Sequence, residues 1–120
     1  MSVDPASFRS AMARFPGAVT VITALSGPDA GRERRGITAT AVCSVSAEPP
    51  SLLVCVNRAT GTGAAIRDTG RFNVNLLAKP DGLWALQFAG QGGVTGEEKF
   101  AEGDWQEDSR GLPRLASALL

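Results

Sequence analysis

The sequence predicts an α+β domain, mainly β, built on a β-barrel with short flanking helices. Three observations predict it. Residues 37–46 read ITATAVCSVS, an almost strict alternation of apolar and hydroxyl side chains. Residues 18–25 and 72–77 are further β-rich runs. Short stretches between the runs carry helix caps and glycine stops. A chain of 120 residues holds material for one core, so residues 1–120 are read as a single domain.

The elements follow in order. Asp4 stands where a helix cap is wanted, Pro5 suits the first helical position, and Phe8, Met12 and Phe15 are spaced to share a face, so a helix is expected to end near Gly17. Residues 18–25, AVTVITAL, form a strand that runs into the turn signal Ser-Gly-Pro-Asp. The charged stretch after it contains Arg32, Arg34 and Arg35; it can steer a phosphate, but Glu33 in its midst favours a solvated turn. In the 37–46 strand, Ile37, Ala39, Ala41, Cys43 and Val45 share one face, and Thr38, Thr40, Ser44 and Ser46 the other.

Glu48-Pro49-Pro50 cannot continue a ladder, and Leu52 to Val56 is an apolar run of the kind buried on both sides. Asn57 to Gly63 then opens a brief helix that passes Ile66 and stops at Gly70. Phe72 to Leu77 is a strand, and residues 81–89 a helix with Leu83, Leu86 and Phe88 as its apolar face. Glycines crowd the loop at 90, 92, 93 and 96, and Glu97 to Glu102 can add one helical turn. After Trp105 a polar loop and the apolar ending Leu115 to Leu120 remain.

Composition narrows the function. Twelve basic residues balance twelve acidic ones, so no global field draws the chain to nucleic acid or anionic lipid. There is no histidine, which removes Ser-His-Asp and Cys-His nucleophile arrangements and His-based metal sites. Cys43 and Cys55 lack Cys-x-x-Cys spacing and are expected to be buried thiols in a reducing compartment. No run approaches the ~20 apolar residues of a membrane span, and Asp4 stands where a signal peptide wants basic residues. A cytoplasmic protein without membrane or nucleic-acid partners is expected.

Two places can hold a ligand. The hydroxyl row Thr38, Thr40, Ser44 and Ser46 suits a flat polar heterocycle or a phosphate, although such residues are also common on the wet face of a sheet. The segment Asn57-Arg58-Ala59-Thr60-Gly61-Thr62-Gly63 opens a helix after a strand, so its hydroxyls and N–H groups suit a phosphate; plain capping by Thr62 is the simpler alternative. It is no dinucleotide fingerprint, since the position of the third glycine is Ile66. With no acid, base or nucleophile in view, an enzyme of this sequence must take its chemistry from a cofactor, and flavin chemistry meets that condition.

Residues 36–66, GITATAVCSVSAEPPSLLVCVNRATGTGAAI, and 70–78, GRFNVNLLA, resemble the flavin reductase family, the short-chain reductases of two-component flavin monooxygenases. Phe8-Arg9, the run from Phe15 to Thr23, Phe88-Ala89-Gly90, Lys99-Phe100 and Gly111-Leu112-Pro113 extend the likeness in the same order. The resemblance implies a split β-barrel with a Greek-key core, a homodimer, and FMN or FAD bound beside the dimer interface. It implies reduction of that flavin by NADH or NADPH and diffusion of the reduced flavin to a partner monooxygenase. Carried over by position, Thr38, Ala39, Thr40 and Ala41 would line the isoalloxazine, and Ser44 and Ser46 would lie near the ribityl chain or phosphate. Asn57, Thr60 and Thr62 would hold the ribityl–phosphate end, with Lys99 and Phe100 close to the flavin, the ring covering a face or marking the nicotinamide side. No residue is assigned a catalytic role. In the family the chain continues into further strands with a Gly-Asp-His motif at the nicotinamide site, so this sequence is expected to lack the C-terminal strands. The alternative is a non-catalytic flavin-binding or dimerisation module that has lost the nicotinamide site.

Overall fold

In the computed structural model, residues 2–14, 17–27, 32–90, 93 and 95–119 are described. The order is α1 (Pro5–Met12), β1 (Thr20–Ser26), β2 (Glu33–Ala39), β3 (Val42–Ala47), β4 (Pro50–Val54), α2 (Gly61–Thr69), β5 (Asn73–Leu76), α3 (Gly82–Phe88), β6 (Trp105–Glu107) and β7 (Pro113–Leu115). Short 3-10 turns occupy Lys79–Asp81 and Gly96–Phe100. The strands form three antiparallel ladders, β2-β1-β5, β3-β4 and β6-β7.

β1 is the centre of the molecule. It pairs with β2 on one side and β5 on the other, and Val21, Ile22, Thr23 and Ala24 are wholly buried. A strand hidden on both faces reads as a continuous β-branched run, which is what TVITALS supplies. Over it lies an aromatic cluster: Phe88 of α3 meets Phe100 edge to face at 5.1 Å, and Trp105 of β6 packs 4.9 Å from Phe100 and 5.3 Å from Phe88. The cluster settles onto β2 because Gly36 has no side chain there; a Cβ would stand 2.5 Å from Phe88 Cε1.

A second, polar set of contacts fastens β7 to the sheet. Buried Asn75 donates from Nδ2 to Val21 O (2.9 Å) and Thr23 Oγ1 (3.2 Å), and its Oδ1 accepts from Leu115 N (3.0 Å). Thr23 Oγ1 donates to Pro113 O at 2.6 Å. Asp108 accepts from Asn73 Nδ2 and from the N–H groups of Arg110 and Leu112. Every buried polar atom of this set therefore has a partner, which is the condition for carrying it inside.

Several expectations are corrected. The alternating run 37–46 is two strands in two ladders, broken at Thr40–Ala41, where Val42 N closes a tight turn on Thr40 O at 3.0 Å. Alternation reports the pleat and continues across such a corner, so it hides the change of ladder. Cys43 and Cys55 are exposed, not buried. The run 52–56 is not buried on both sides either: Leu52 is 48% and Leu53 46% exposed, because β3-β4 is a two-stranded hairpin with no covering layer among the described residues. Arg34 and Arg35 belong to β2 and are half-buried instead of lying in a solvated turn. On α3 only Phe88 is buried, while Leu83 and Leu86 face outward. The region after Trp105 is no simple loop but the hairpin β6-β7, with Leu112, Pro113 and Leu115 buried. Phe8 and Met12 of α1 are exposed, and Phe15 lies outside the described residues.

Candidate functional site

α2 starts at a built corner. Asn57 Oδ1 accepts from Ala59 N (2.9 Å) and its carbonyl accepts from Thr60 N (3.1 Å) and Thr60 Oγ1 (2.6 Å), which turns the chain after β4. Thr60, not Thr62, is the helix cap: its Oγ1 accepts from Gly63 N at 3.0 Å. The corner is close-packed, since a Cβ on Gly63 would stand 2.6 Å from Asn57 O. At the other end Gly70, with φ of 70°, closes the helix as read from the sequence.

A cavity of about 400 Å³ opens beside this corner, along the edge of β2 that pairs with no strand among the described residues. Thr60, Gly61 and Thr62 form one wall, and Arg35, Gly36 and Ile37 of β2 another. Phe88 to Gly90 and Thr95, Gly96 and Lys99 close it. Lys99 is pinned there by two carbonyls, its Nζ donating to Gly36 O (3.0 Å) and Phe88 O (3.2 Å). Burial, and next the neighbouring charge of Arg35, push the Lys99 ammonium below its ordinary 10.5. No carboxylate lines the cavity among the described residues. Two cations, three threonines and the start of a nine-residue helix make an environment that takes an anion, and the glycines admit it close to the backbone.

The residues singled out in the sequence divide into two groups. Thr60, Thr62 and Lys99 come together around this cavity. Asn57 lies behind it and shapes the turn that presents Thr60. The 38–46 residues lie elsewhere. Thr38 Oγ1 donates to Ala85 O of α3; Thr40 and Ala41 form the corner between ladders; the carbonyl of Ala39 accepts from Thr20 Oγ1 at 2.6 Å. Ser44 is exposed on β3, and Ser46 Oγ accepts from Glu48 N at 3.1 Å beside a β-bulge. Phe100 does not reach the cavity: it is 4% exposed and spends its ring on the aromatic cluster.

Sequence reasoning named Arg35 as able to steer a phosphate but favoured a solvated turn, and it missed Gly36 and the α3 end of the cavity. One signal was available: Arg34-Arg35-Gly36 runs directly into the alternating segment, so it is better read as the start of that strand than as part of the loop. Arg34 is spent on structure, paired with Glu97 and lying 4.9 Å over the Phe100 ring, which ties the 96–100 turn to β2.

Known proteins share this architecture. The chain is 45% identical over 120 residues to the FMN reductase (NADH) RutF 1 of Methylorubrum extorquens, covering all of this chain and 56% of that protein. It is 47% identical over 113 residues to the 4-hydroxyphenylacetate 3-monooxygenase reductase component of Pseudomonas aeruginosa, covering 94% of this chain and 64% of that one. The chain thus spans less than two thirds of the length of these relatives. Among solved structures, the NADH:FAD oxidoreductase SgcE6 of Streptomyces globisporus, in complex with NAD and FAD fragments, superposes with a TM-score of 0.81 at 30% identity, over 99% of this chain and 69% of that one. The split-barrel fold expected from the resemblance holds. Residues 12–120, which carry every strand, the aromatic cluster and the cavity, match the flavin reductase like domain, and the chain belongs to that family.

Proposed function

We propose that this protein is an NAD(P)H-dependent flavin reductase that supplies reduced FMN or FAD to a partner monooxygenase. The observation that carries the reading is the cationic, hydroxyl-lined cavity at the start of α2, in a chain of the flavin reductase like domain family. When bound, flavin would supply the redox chemistry, a two-electron reduction by a nicotinamide. The chain's own residues bind and orient. Thr60, Thr62 and Lys99 hold the phosphate end, with Asn57 fixing the turn, and the backbone from Thr38 to Ala41 lies beside the ring system with Ser44 and Ser46 further along the chain. Hydride transfer asks mainly for alignment, so a site without an acid or base suffices. The relatives named for NADH favour NADH as donor. Residues 1–120 act as one domain in this reading, in the cytoplasm.

The same reading makes the protein a homodimer. Cys43 and its cross-strand partner Leu53 share one face of the hairpin β3-β4 and are exposed, with Val45, 64% exposed, at the neighbouring bulge, an apolar surface that a second copy would cover. Light scattering at micromolar concentration should give twice the 12.4 kDa of one chain. A particle of one chain's mass would refute the dimer.

Fluorescence titration tests the binding. FMN should be quenched saturably, and Thr60→Ala with Thr62→Ala should weaken FMN by about 10-fold or more while sparing riboflavin, because the Thr62 hydroxyl is lost as a donor and the start of α2 loses the Thr60 cap that presents its N–H groups to the phosphate. Equal losses for both ligands would place the phosphate elsewhere. The second reading is a non-catalytic flavin-binding or dimerisation module. NADH and NADPH oxidation at saturating flavin separates the two.

A further inference from the structure

Arg35 crosses the mouth of the cavity. It leaves β2 opposite Ala24 and runs between the start of α2 and the 96–100 turn. A Cβ on Gly61 would lie 3.3 Å from its Nε, and one on Gly96 would lie 3.6 Å from its Nη1. The guanidinium is held by Arg34 O, which accepts from Nη1 at 3.1 Å, and by Glu33, whose Oε2 lies 2.5 Å from Nη2. Glu33 is itself outside the cavity, and its side chain is 55% exposed.

The arrangement leaves two cations, Arg35 and Lys99, on one cavity that no carboxylate lines among the described residues. Lys99 spends two of its three N–H donors on backbone carbonyls, which leaves one for a ligand. Among the described residues the counter-ion of Arg35 is Glu33, whose side chain is 55% exposed against 24% for Arg35, and a solvated carboxylate is readily exchanged for another anion. A phosphate monoester at the start of α2 offers up to two negative charges and a geometry that suits the guanidinium fork.

We propose that Arg35 is a specificity-determining residue for flavin carrying a phosphate monoester, and that Glu33 competes with that phosphate for its guanidinium. The inference rests on the reading that the cavity takes the flavin phosphate. It adds that discrimination between phosphorylated and unphosphorylated flavin is set by an arginine outside the α2 corner, and that a neighbouring carboxylate weakens it.

The test is the dissociation constants of FMN, FAD and riboflavin, by fluorescence quenching, for the protein and for Arg35→Ala, Arg35→Lys and Glu33→Gln. Arg35→Ala should weaken FMN about 10-fold and leave riboflavin within about twofold. Arg35→Lys, which keeps charge and bulk, should recover part of the loss and serves if the alanine variant fails to fold. Glu33→Gln should tighten FMN by about 2- to 5-fold. FAD, whose phosphates carry one charge each, should lose less than FMN on Arg35→Ala. An FMN affinity unmoved by Arg35→Ala overturns the proposal, as does an equal loss for riboflavin. Weaker FMN binding in Glu33→Gln overturns the competition, and an equal or larger loss for FAD overturns the assignment to the monoester. Failure of the underlying reading looks different: the unsubstituted protein would then bind FMN and riboflavin equally.

Discussion

Gly63→Ala should destabilise the protein although it places a better helix former inside α2. On propensity alone the substitution gains about 1 kcal/mol. The structure opposes that gain, because the new Cβ would stand 2.6 Å from Asn57 O, 3.1 Å from Arg58 Cα and 3.2 Å from Thr60 Oγ1. Two of these three atoms belong to the backbone, so no side-chain rotation relieves the overlap. The 57–60 turn must move, at an overpacking cost of about 1–3 kcal/mol. Moving it also stretches the 3.0 Å cap from Gly63 N to Thr60 Oγ1, worth about 1 kcal/mol. The net loss is about 1–3 kcal/mol, which lowers Tm by roughly 4–10 °C for a domain of this size. Gly82→Ala is the control. That glycine also lies in a helix, with φ of −56° and no atom within 4 Å of its Cβ position, so alanine should stabilise by about 0.5–1 kcal/mol. Thermal melts followed by circular dichroism decide it. A Gly63→Ala variant melting at or above the unsubstituted protein would refute the steric reasoning.

Three further outcomes are expected. Gly36→Ala should cost about 1–3 kcal/mol, because its Cβ would stand 2.5 Å from a Phe88 ring held between Phe100 and Trp105; an unchanged melting temperature would show that the aromatic cluster gives way freely. Asn75→Ala should cost about 2–4 kcal/mol by removing three hydrogen bonds and orphaning the buried Leu115 N–H, with amide exchange at Leu115 rising more than at Val21; uniform exchange would contradict a local role. Burial raises the Asp108 pKa, but hydrogen bonds from Asn73, Arg110 and Leu112 outweigh it and hold the carboxyl below its usual 3.8. Asp108 therefore stabilises the fold above pH 3.8 and loses that contribution as pH falls through the lower folded value. Asp108→Asn should flatten this part of the acid-unfolding curve, and an identical curve would remove Asp108 from the account.

Much of the fold was legible because its signals are local. Asp4-Pro5, Thr60 to Gly63 and Gly70 mark helix ends by chemistry confined to one turn, and the elements begin and end close to them. TVITALS reads as a strand from its β-branched residues, and the structure buries it on both faces. What stayed hidden depends on long-range partners. The corner at Thr40–Ala41 leaves the apolar alternation intact, and nothing within ten residues shows that β2 and β3 belong to different ladders. The exposure of Cys43, Leu52 and Leu53 follows from what lies over the hairpin, which the run itself cannot report. Of the candidate site, the α2 corner was legible from hydroxyl and glycine spacing. Arg35 was legible as a cation but not as part of a site, since its place on the cavity depends on the approach of Gly61 and Gly96 from segments about 25 and 60 residues away.

The polar fastening of β7 also sets the order in which the chain assembles. β1 meets β2 across a short loop, but its bond to β7 joins Thr23 to Pro113, ninety residues apart, and Asn75 reaches Leu115 across forty. Closure of such loops must be met before the contacts reward it, so docking of β6-β7 belongs late on the folding path. Loosening that dock should then leave the folding rate nearly constant and raise the unfolding rate, whereas a change in the β1–β2 pairing should slow folding itself. Denaturant chevrons for Thr23→Val and Ile37→Val would separate the two, with a folding limb slowed by Thr23→Val as the contrary result. On this order of events the sheet centred on β1 stands first, and the last segment to lock, residues 105–115, governs how long the native state lasts.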